Sequence, residues 1–169
     1  LIWQTSEVRT ERPTVLDEVQ SVLFILSGPL MEAIGAVQGE IDHLRQSRAP
    51  GASLSAPAIR VGSWVGGDRD GNPAVTSDVT RAAIRLARVS AVRHYRERLT
   101  ALGRDLSISG RRFGATDALM TSIEDDLEWL GLQPVRSWAD EPYRRKLGLM
   151  SERLRRTEDG RQGAYATPD

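Results

Sequence analysis

Apolar residues in this chain return at three- and four-residue steps through most of its length, and that spacing commits it to helices. After Pro13, the residues Val15, Leu16, Val19, Val22, Leu23 and Leu26 fall on one helical face. Gly28-Pro29 interrupts the pattern, because a proline there removes a backbone donor and crowds the preceding turn. It resumes with Leu30, Ile34, Val37, Ile41 and Leu44, so this region reads as one kinked helix or two in succession. Residues 48–57 are a loop by composition. Thr76 is placed as an N-cap, with Asp78 in the first turn where the helix dipole favours an anion. The helix it opens is predicted to reach about Leu102, with Val79, Ala83, Leu86, Val89, Tyr95, Leu99 and Leu102 turned inward. Thr116 caps a further helix carrying Leu119, Ile123, Leu127 and Leu130 and ended by Gly131. The last begins near Asp140-Glu141-Pro142 and is expected to bury Tyr143, Leu147, Met150 and Leu154.

One stretch departs from the helical period. Ile59, Val61, Ser63 and Val65 alternate with Arg60, Gly62 and Trp64, which predicts a short strand. That strand runs into Gly66-Gly67-Asp68-Arg69-Asp70-Gly71-Asn72-Pro73, just before the Thr76 cap. The expected fold class is therefore mainly α, with one short strand leading into a glycine-rich loop.

Composition narrows the chemistry. The chain has 169 residues, 40% hydrophobic and 27% charged, which suits one soluble domain with a real core. There is no cysteine, so disulfides, thiolate nucleophiles and cysteine-based metal sites are excluded together. The two histidines, His43 and His94, lack ligand-like spacing. Lys plus Arg and Asp plus Glu both total 23, and this neutrality argues against a nucleic-acid partner, which demands surplus cations. The longest unbroken apolar run, Val22 to Leu26, is far short of a membrane span, so no membrane partner and a cytoplasmic location are expected. Of the basic residues only Lys146 is lysine. The Arg-rich run from Arg144 to Arg156 reads as a solvated face. The chain opens directly in Leu1-Ile2-Trp3 and drifts at its end into Gly, Gln, Ala and Thr, so residues 1–169 are expected to be an internal segment, incomplete at both ends.

The glycine-rich loop is the candidate site. Glycines such as Gly66 and Gly67 let a backbone approach a ligand closely. Arg69 offers a forked guanidinium suited to a phosphate or carboxylate, with Asp68 and Asp70 placed either to orient it or to cancel its charge. Asp68-x-Asp70-x-Asn72 copies the opening of a calcium loop, but the glycine and glutamate such a loop needs at its sixth and twelfth positions are Pro73 and Val79 here. No Walker lysine follows the glycines, and Ser63 is not in a Gly-x-Ser-x-Gly elbow. A tight turn made of residues that favour turns explains the same letters.

Longer strings separate the two readings. GSWVGGDRDGNPAVT resembles the glycine-rich signature GSWMGGDRDGNP of the phosphoenolpyruvate carboxylase family. IWQTSEVRTERPTVLDEV is similar to that family's LWQTDEIRRTQPTPxDE segment, and EPYRRKLGLMSERLRRT to its EPYRxxL segment, in the same order. The resemblance covers nearly the whole chain. It implies a piece of a large helical enzyme built around an eight-stranded barrel, cytoplasmic and homotetrameric. That enzyme uses magnesium to turn phosphoenolpyruvate and bicarbonate into oxaloacetate and phosphate, feeding the tricarboxylic acid cycle. By the same resemblance, Arg69 contacts the substrate phosphate, Trp3 helps form the pocket for the substrate methylene, and Gly66 and Gly67 line the binding loop that Asp68, Asp70 and Asn72 orient. Val65 stands where the family has Met or Ile, Ala74 where it has Asn or Arg, and Ser6 where Asp is common. The family's TAHPTE block with its catalytic histidine, its second catalytic histidine and its metal-binding carboxylates have no counterpart in these residues, so no metal ligand is assigned and the segment alone is expected to be inactive. Two other readings stand beside this one: a relative acting on another phosphorylated or carboxylated small molecule, and a helical scaffold segment without catalysis.

Overall fold

The computed structural model describes residues 13–49, 57–133 and 138–165. The chain divides into two compact units, residues 1–87 and 88–169. Helix α1, Val15–Ile25, opens on a capping box. Thr14 Oγ1 accepts the Asp17 amide at 3.2 Å and the Asp17 carboxylate accepts the Thr14 amide at 2.8 Å, so two otherwise orphaned donors are satisfied. A single π-helical turn, Leu26–Leu30, joins it to α2, Met31–Arg48. The joint is the one the sequence marks: Gly28 leaves helical geometry at φ −104°, ψ −106°, and Pro29 supplies no amide to the ladder. The two helices of the sequence reading thus follow each other directly across a kink at Gly28. Gln38 of α2 then holds the approach to the glycine-rich loop, its Oε1 accepting the Ala58 amide at 2.8 Å while its Nε2 donates to Asp42.

The combined helix Val15–Arg48 contains an 18-residue window of mean hydropathy 1.5, long and apolar enough by length and composition to cross a membrane. Counting only unbroken apolar residues hides this, since Ser27, Gly28 and Pro29 end the run without adding charge. Phe24 is 77% exposed and Ile25 58%.

The predicted strand does not form. Residues 57–64 are irregular, no strand occurs among the described residues, and Trp64 lies in solvent. Alternation sets which side chains share a face, but a strand also needs a neighbouring edge to take its amides and carbonyls, and none lies alongside among the described residues.

Helix α3, Ser77–Asp105, carries residues of both units. A short α4, Gly110–Phe113, precedes α5, Asp117–Leu130, and α6, Pro142–Asp159. Thr116 caps α5 through the Leu119 amide at 3.3 Å, and Gly131 ends it in the left-handed conformation, as read from the sequence. The short α4 is pinned by the turn ahead of α6: Asp140 accepts from the Ser109 hydroxyl at 2.7 Å and from the Arg111 amide at 3.1 Å. Ile123, Leu127 and Leu130 of α5 bury against Leu149 of α6, with Leu119 alongside. Tyr143, Leu147, Met150 and Leu154 are only half-buried, and Leu149 takes the place expected for them. On α3, Val92 is buried, whereas Tyr95 and Leu102 are exposed.

Much of the space claimed by apolar side chains in the sequence reading belongs instead to charge. Asp126, 4% exposed, accepts from Lys146 Nζ at 2.6 Å and Arg153 Nη1 at 2.9 Å. Lys146 also donates to the carbonyl and hydroxyl of Ser122. Arg153 lies over the Tyr165 ring at 4.1 Å, and Arg156 reaches the Leu130 and Gln162 carbonyls. The run from Arg144 to Arg156 is therefore not simply a solvated face. Its inward members are the clasp between α5 and α6, because their long apolar stems cover the core while their heads find partners.

Glu152 shows how strongly the clasp is tuned. Both its oxygens accept from Arg155, at 2.7 and 2.8 Å, and Arg156 Nε adds a third bond at 2.9 Å. The Arg155 hydrogen bonds, helped by Arg156 and opposed by partial burial, pull its carboxyl from an ordinary 4.5 to about 2. The folded value lies below the unfolded one, so the stability it contributes is present above about pH 4.5 and is lost as pH falls toward 2. In urea unfolding, the stability gap between wild type and Glu152→Gln is expected to be widest near neutral pH and to close across that interval; a gap constant with pH refutes the ionic origin.

Removing the buried carboxylate leaves Lys146 and Arg153, each about a fifth exposed, without the counter-charge they share. Asp126→Ala is expected to cost about 3 kcal/mol in urea unfolding. Asp78→Ala, which breaks the solvent-exposed pair with Arg81 at 2.7 Å, is expected to cost less than about 1 kcal/mol. Equal losses from the two refute the assignment of Asp126 as the clasp.

Candidate functional site

The glycine-rich loop is held at both ends and free in the middle. At its start, the amides of Gly67 and Asp68 both donate to the Trp64 carbonyl, at 2.9 and 3.0 Å. Gly66 is buried with φ +83°, and a Cβ there would stand 2.6 Å from Ala83 Cβ of α3 and 2.8 Å from Val19 Cγ2 of α1. Glycine is thus required twice over, for the backbone angle and for the contact. At its end, Val75 is buried. Asn72 braces the exit, its carbonyl accepting the Val75 amide at 3.2 Å and its side-chain oxygen the Ala74 amide at 3.0 Å. Thr76 then caps α3 through the Val79 amide at 3.3 Å.

Between these anchors Asp70, φ +28°, and Gly71, φ +75°, turn the chain, closed by an Asn72 amide bond to the Arg69 carbonyl. Gly67, Asp68, Arg69 and Asp70 are all exposed. Arg69 makes no ion pair with either flanking aspartate, nor with any other carboxylate among the described residues. Its guanidinium is neither oriented nor neutralised by direct contact, so all five of its donors remain available. Of the residues expected to orient the loop, Asn72 makes the hydrogen bonds at its exit, Asp70 carries its positive φ, and Asp68 donates its amide to the Trp64 carbonyl. Gly67 has already spent its amide within the turn, which leaves it close approach rather than donation. An open concavity on α1, lined by Gln20, Phe24 and Ile25, does not include Arg69. Trp3 lies outside the described residues.

Among the described residues no three His, Asp or Glu side chains converge on a point where a metal ion would sit. Asp68 and Asp70 are exposed and do not by themselves make up a magnesium donor set.

Sequence reasoning did not foresee the packing of Gly66 or the Gln38 brace. Gly66 carried no signal in the alternation, since Ile59, Val61, Ser63 and Val65 share the odd positions and residue 66 falls with Arg60, Gly62 and Trp64. Gln38 carried no signal, because its partner is a backbone amide of a distant loop.

The phosphoenolpyruvate carboxylase family model matches residues 1–167. The chain belongs to the phosphoenolpyruvate carboxylase family. It is 39% identical over 157 residues to the phosphoenolpyruvate carboxylase of Mycobacterium avium, an alignment covering 92% of this chain and 16% of that protein. The Paraburkholderia xenovorans phosphoenolpyruvate carboxylase is 36% identical over 169 residues, 99% of this chain and 16% of the relative. That of Roseiflexus castenholzii is 34% identical over 162 residues, 94% and 17% respectively. No solved structure matches the chain. The chain spans about 16% of the length of these relatives.

Because Gly66 meets two side chains as well as a left-handed angle, Gly66→Ala is expected to destabilise the segment by about 2–4 kcal/mol. Gly71→Ala faces open space and carries only the backbone penalty, about 1–2 kcal/mol. Thermal unfolding of both variants checks the order, and a Gly66→Ala loss no greater than that of Gly71→Ala refutes the packing role.

Proposed function

We propose that this chain supplies one phosphate-binding arm of a phosphoenolpyruvate carboxylase, with Arg69 as the residue that grips the substrate phosphate. The observation that carries this reading is the loop itself: a guanidinium with no carboxylate partner among the described residues, presented by a turn whose two ends are fixed by Gly66 and Val75. Phosphoryl transfer is accelerated mainly by positioning and by cations around the equatorial oxygens. A guanidinium cannot serve as a base near neutral pH, so the role is electrostatic: Arg69 donates to the phosphate oxygens as charge gathers on them. In the whole protein the phosphoryl group passes from phosphoenolpyruvate to bicarbonate, giving carboxyphosphate and the enolate of pyruvate, and carboxylation of that enolate yields oxaloacetate and phosphate. Trp3 contributes to the apolar pocket for the substrate methylene.

The length of the relatives supports the rest of the reading. The family's histidines and metal carboxylates belong to the rest of the polypeptide, and this segment alone is inactive. The exposed Phe24 and Ile25 on α1 suit a face covered by further helices of one large body better than a lipid-facing span, since Glu32 and the Pro29 kink interrupt it. A cytoplasmic homotetramer using magnesium follows from family membership and is part of the same proposal.

In the full-length protein, Arg69→Ala is expected to lower kcat on the order of 10²–10³-fold, as for loss of one transition-state donor. Arg69→Lys is expected to be impaired as well, because a point charge does not reproduce a two-pronged contact. Steady-state oxaloacetate formation is the measurement, and near-normal kinetics in Arg69→Ala overturns the assignment.

A further inference from the structure

A second group of arginines lies far along the chain from the loop and is unused by that chemistry. On α3, Arg93, Arg96, Glu97, Thr100, Ala101 and Arg104 recur at helical spacing and form one wall of an open cleft of about 420 Å³, with Ser151 of α6 opposite. None of the three guanidiniums forms an ion pair among the described residues, and neither does Glu97. The cleft therefore holds three positive charges against one negative. Like charges one turn apart on a helix repel. Arg96 Nε is also buried from water without a hydrogen-bond partner, a donor left unsatisfied by the fold. Thr100 has spent its hydroxyl proton on the Arg96 carbonyl, at 2.9 Å, whereas the Ser151 hydroxyl has no partner among the described residues.

We infer that this cleft is a binding site for a phosphate-type oxyanion, separate from the glycine-rich loop. Arg93 and Arg96, one turn apart, are placed to grip one group of oxygens. Arg104 lies about 12 Å farther along the axis and closes the far end with its long side chain. Ser151 donates from the α6 wall, and Glu97, beside Arg96 and one turn from Arg93, offsets part of the attraction but only one of the three positive charges. The inference does not depend on the role given to Arg69.

The test is calorimetric titration of the full-length protein with inorganic pyrophosphate at constant ionic strength. Saturable binding is expected in wild type, to persist in Arg69→Ala, and to weaken about tenfold or more in Arg96→Gln/Arg104→Gln, as for loss of charged hydrogen bonds. Should the double variant fold poorly by circular dichroism, Ser151→Ala provides the second reading, with an expected several-fold loss. Three results overturn the inference: no saturable binding in wild type, as when carboxylates elsewhere in the polypeptide fill the cleft; binding abolished by Arg69→Ala alone; or affinity unchanged in the cleft variants.

Discussion

A missing methyl group organises the first unit. Because residue 66 has no Cβ, the glycine-rich loop can lie directly on Val19 of α1 and Ala83 of α3. Everything upstream and downstream of that contact is then constrained. The Trp64 carbonyl collects the two amides that follow the glycine, and buried Val75 fixes the exit. The Thr76 cap starts α3 a few residues later. The turn between them can place a polar residue in solvent without being loose, since its ends cannot separate independently of the helices beneath.

Charge is used in three different ways in one chain. Around Asp126 it is buried, paired and structural: Lys146 and Arg153 converge on one carboxylate and join α5 to α6. Along α6 it is half-buried and cooperative, with Glu152 held by two arginines and its carboxyl pulled down to about 2. At Arg69, exposed in the loop, it forms no ion pair among the described residues. The distinction is physical. A buried ion costs several kcal/mol of desolvation and must be matched, whereas an exposed guanidinium keeps its hydration and can wait for an anion from outside.

The helices were legible because their signals are local. Thr76 and Thr116 cap where their sequence context places them, Gly28-Pro29 kinks the first long helical stretch, and Gly131 ends α5. The failures share a cause. Ile59 to Val65 has a strand's alternation, but pairing depends on a second segment that periodicity cannot supply. The run from Arg144 to Arg156 looks like a solvated face until Asp126 and Ser122, some two dozen residues away in sequence, are brought beneath it. Leu149 displaces the expected apolar residues of α6 for the same reason: which stripe faces inward is decided by α5. At the site, the glycine-rich loop ahead of the Thr76 cap was legible from the motif, while the close contact of Gly66 and the Gln38 brace were not.

An unpaired guanidinium at an exposed apex also says what the rest of the binding site must provide. In bulk water two unit charges about 4 Å apart attract by only about 1 kcal/mol, and the attraction rises several-fold as water is excluded. The flanking Asp68 and Asp70, out of ion-pair range and fully hydrated, therefore subtract little from Arg69 in this setting, and would subtract more in a dry one. An arm of this kind gains its strength when substrate and further protein close over it. That closure must keep the two aspartates in solvent while burying the arginine between them. The turn at Asp70 and Gly71 meets this demand, because reversing the chain immediately after Arg69 lets neighbouring side chains leave the backbone in different directions. On the proposed reading, the turn residues so common in loops serve here to separate one charge from its neighbours.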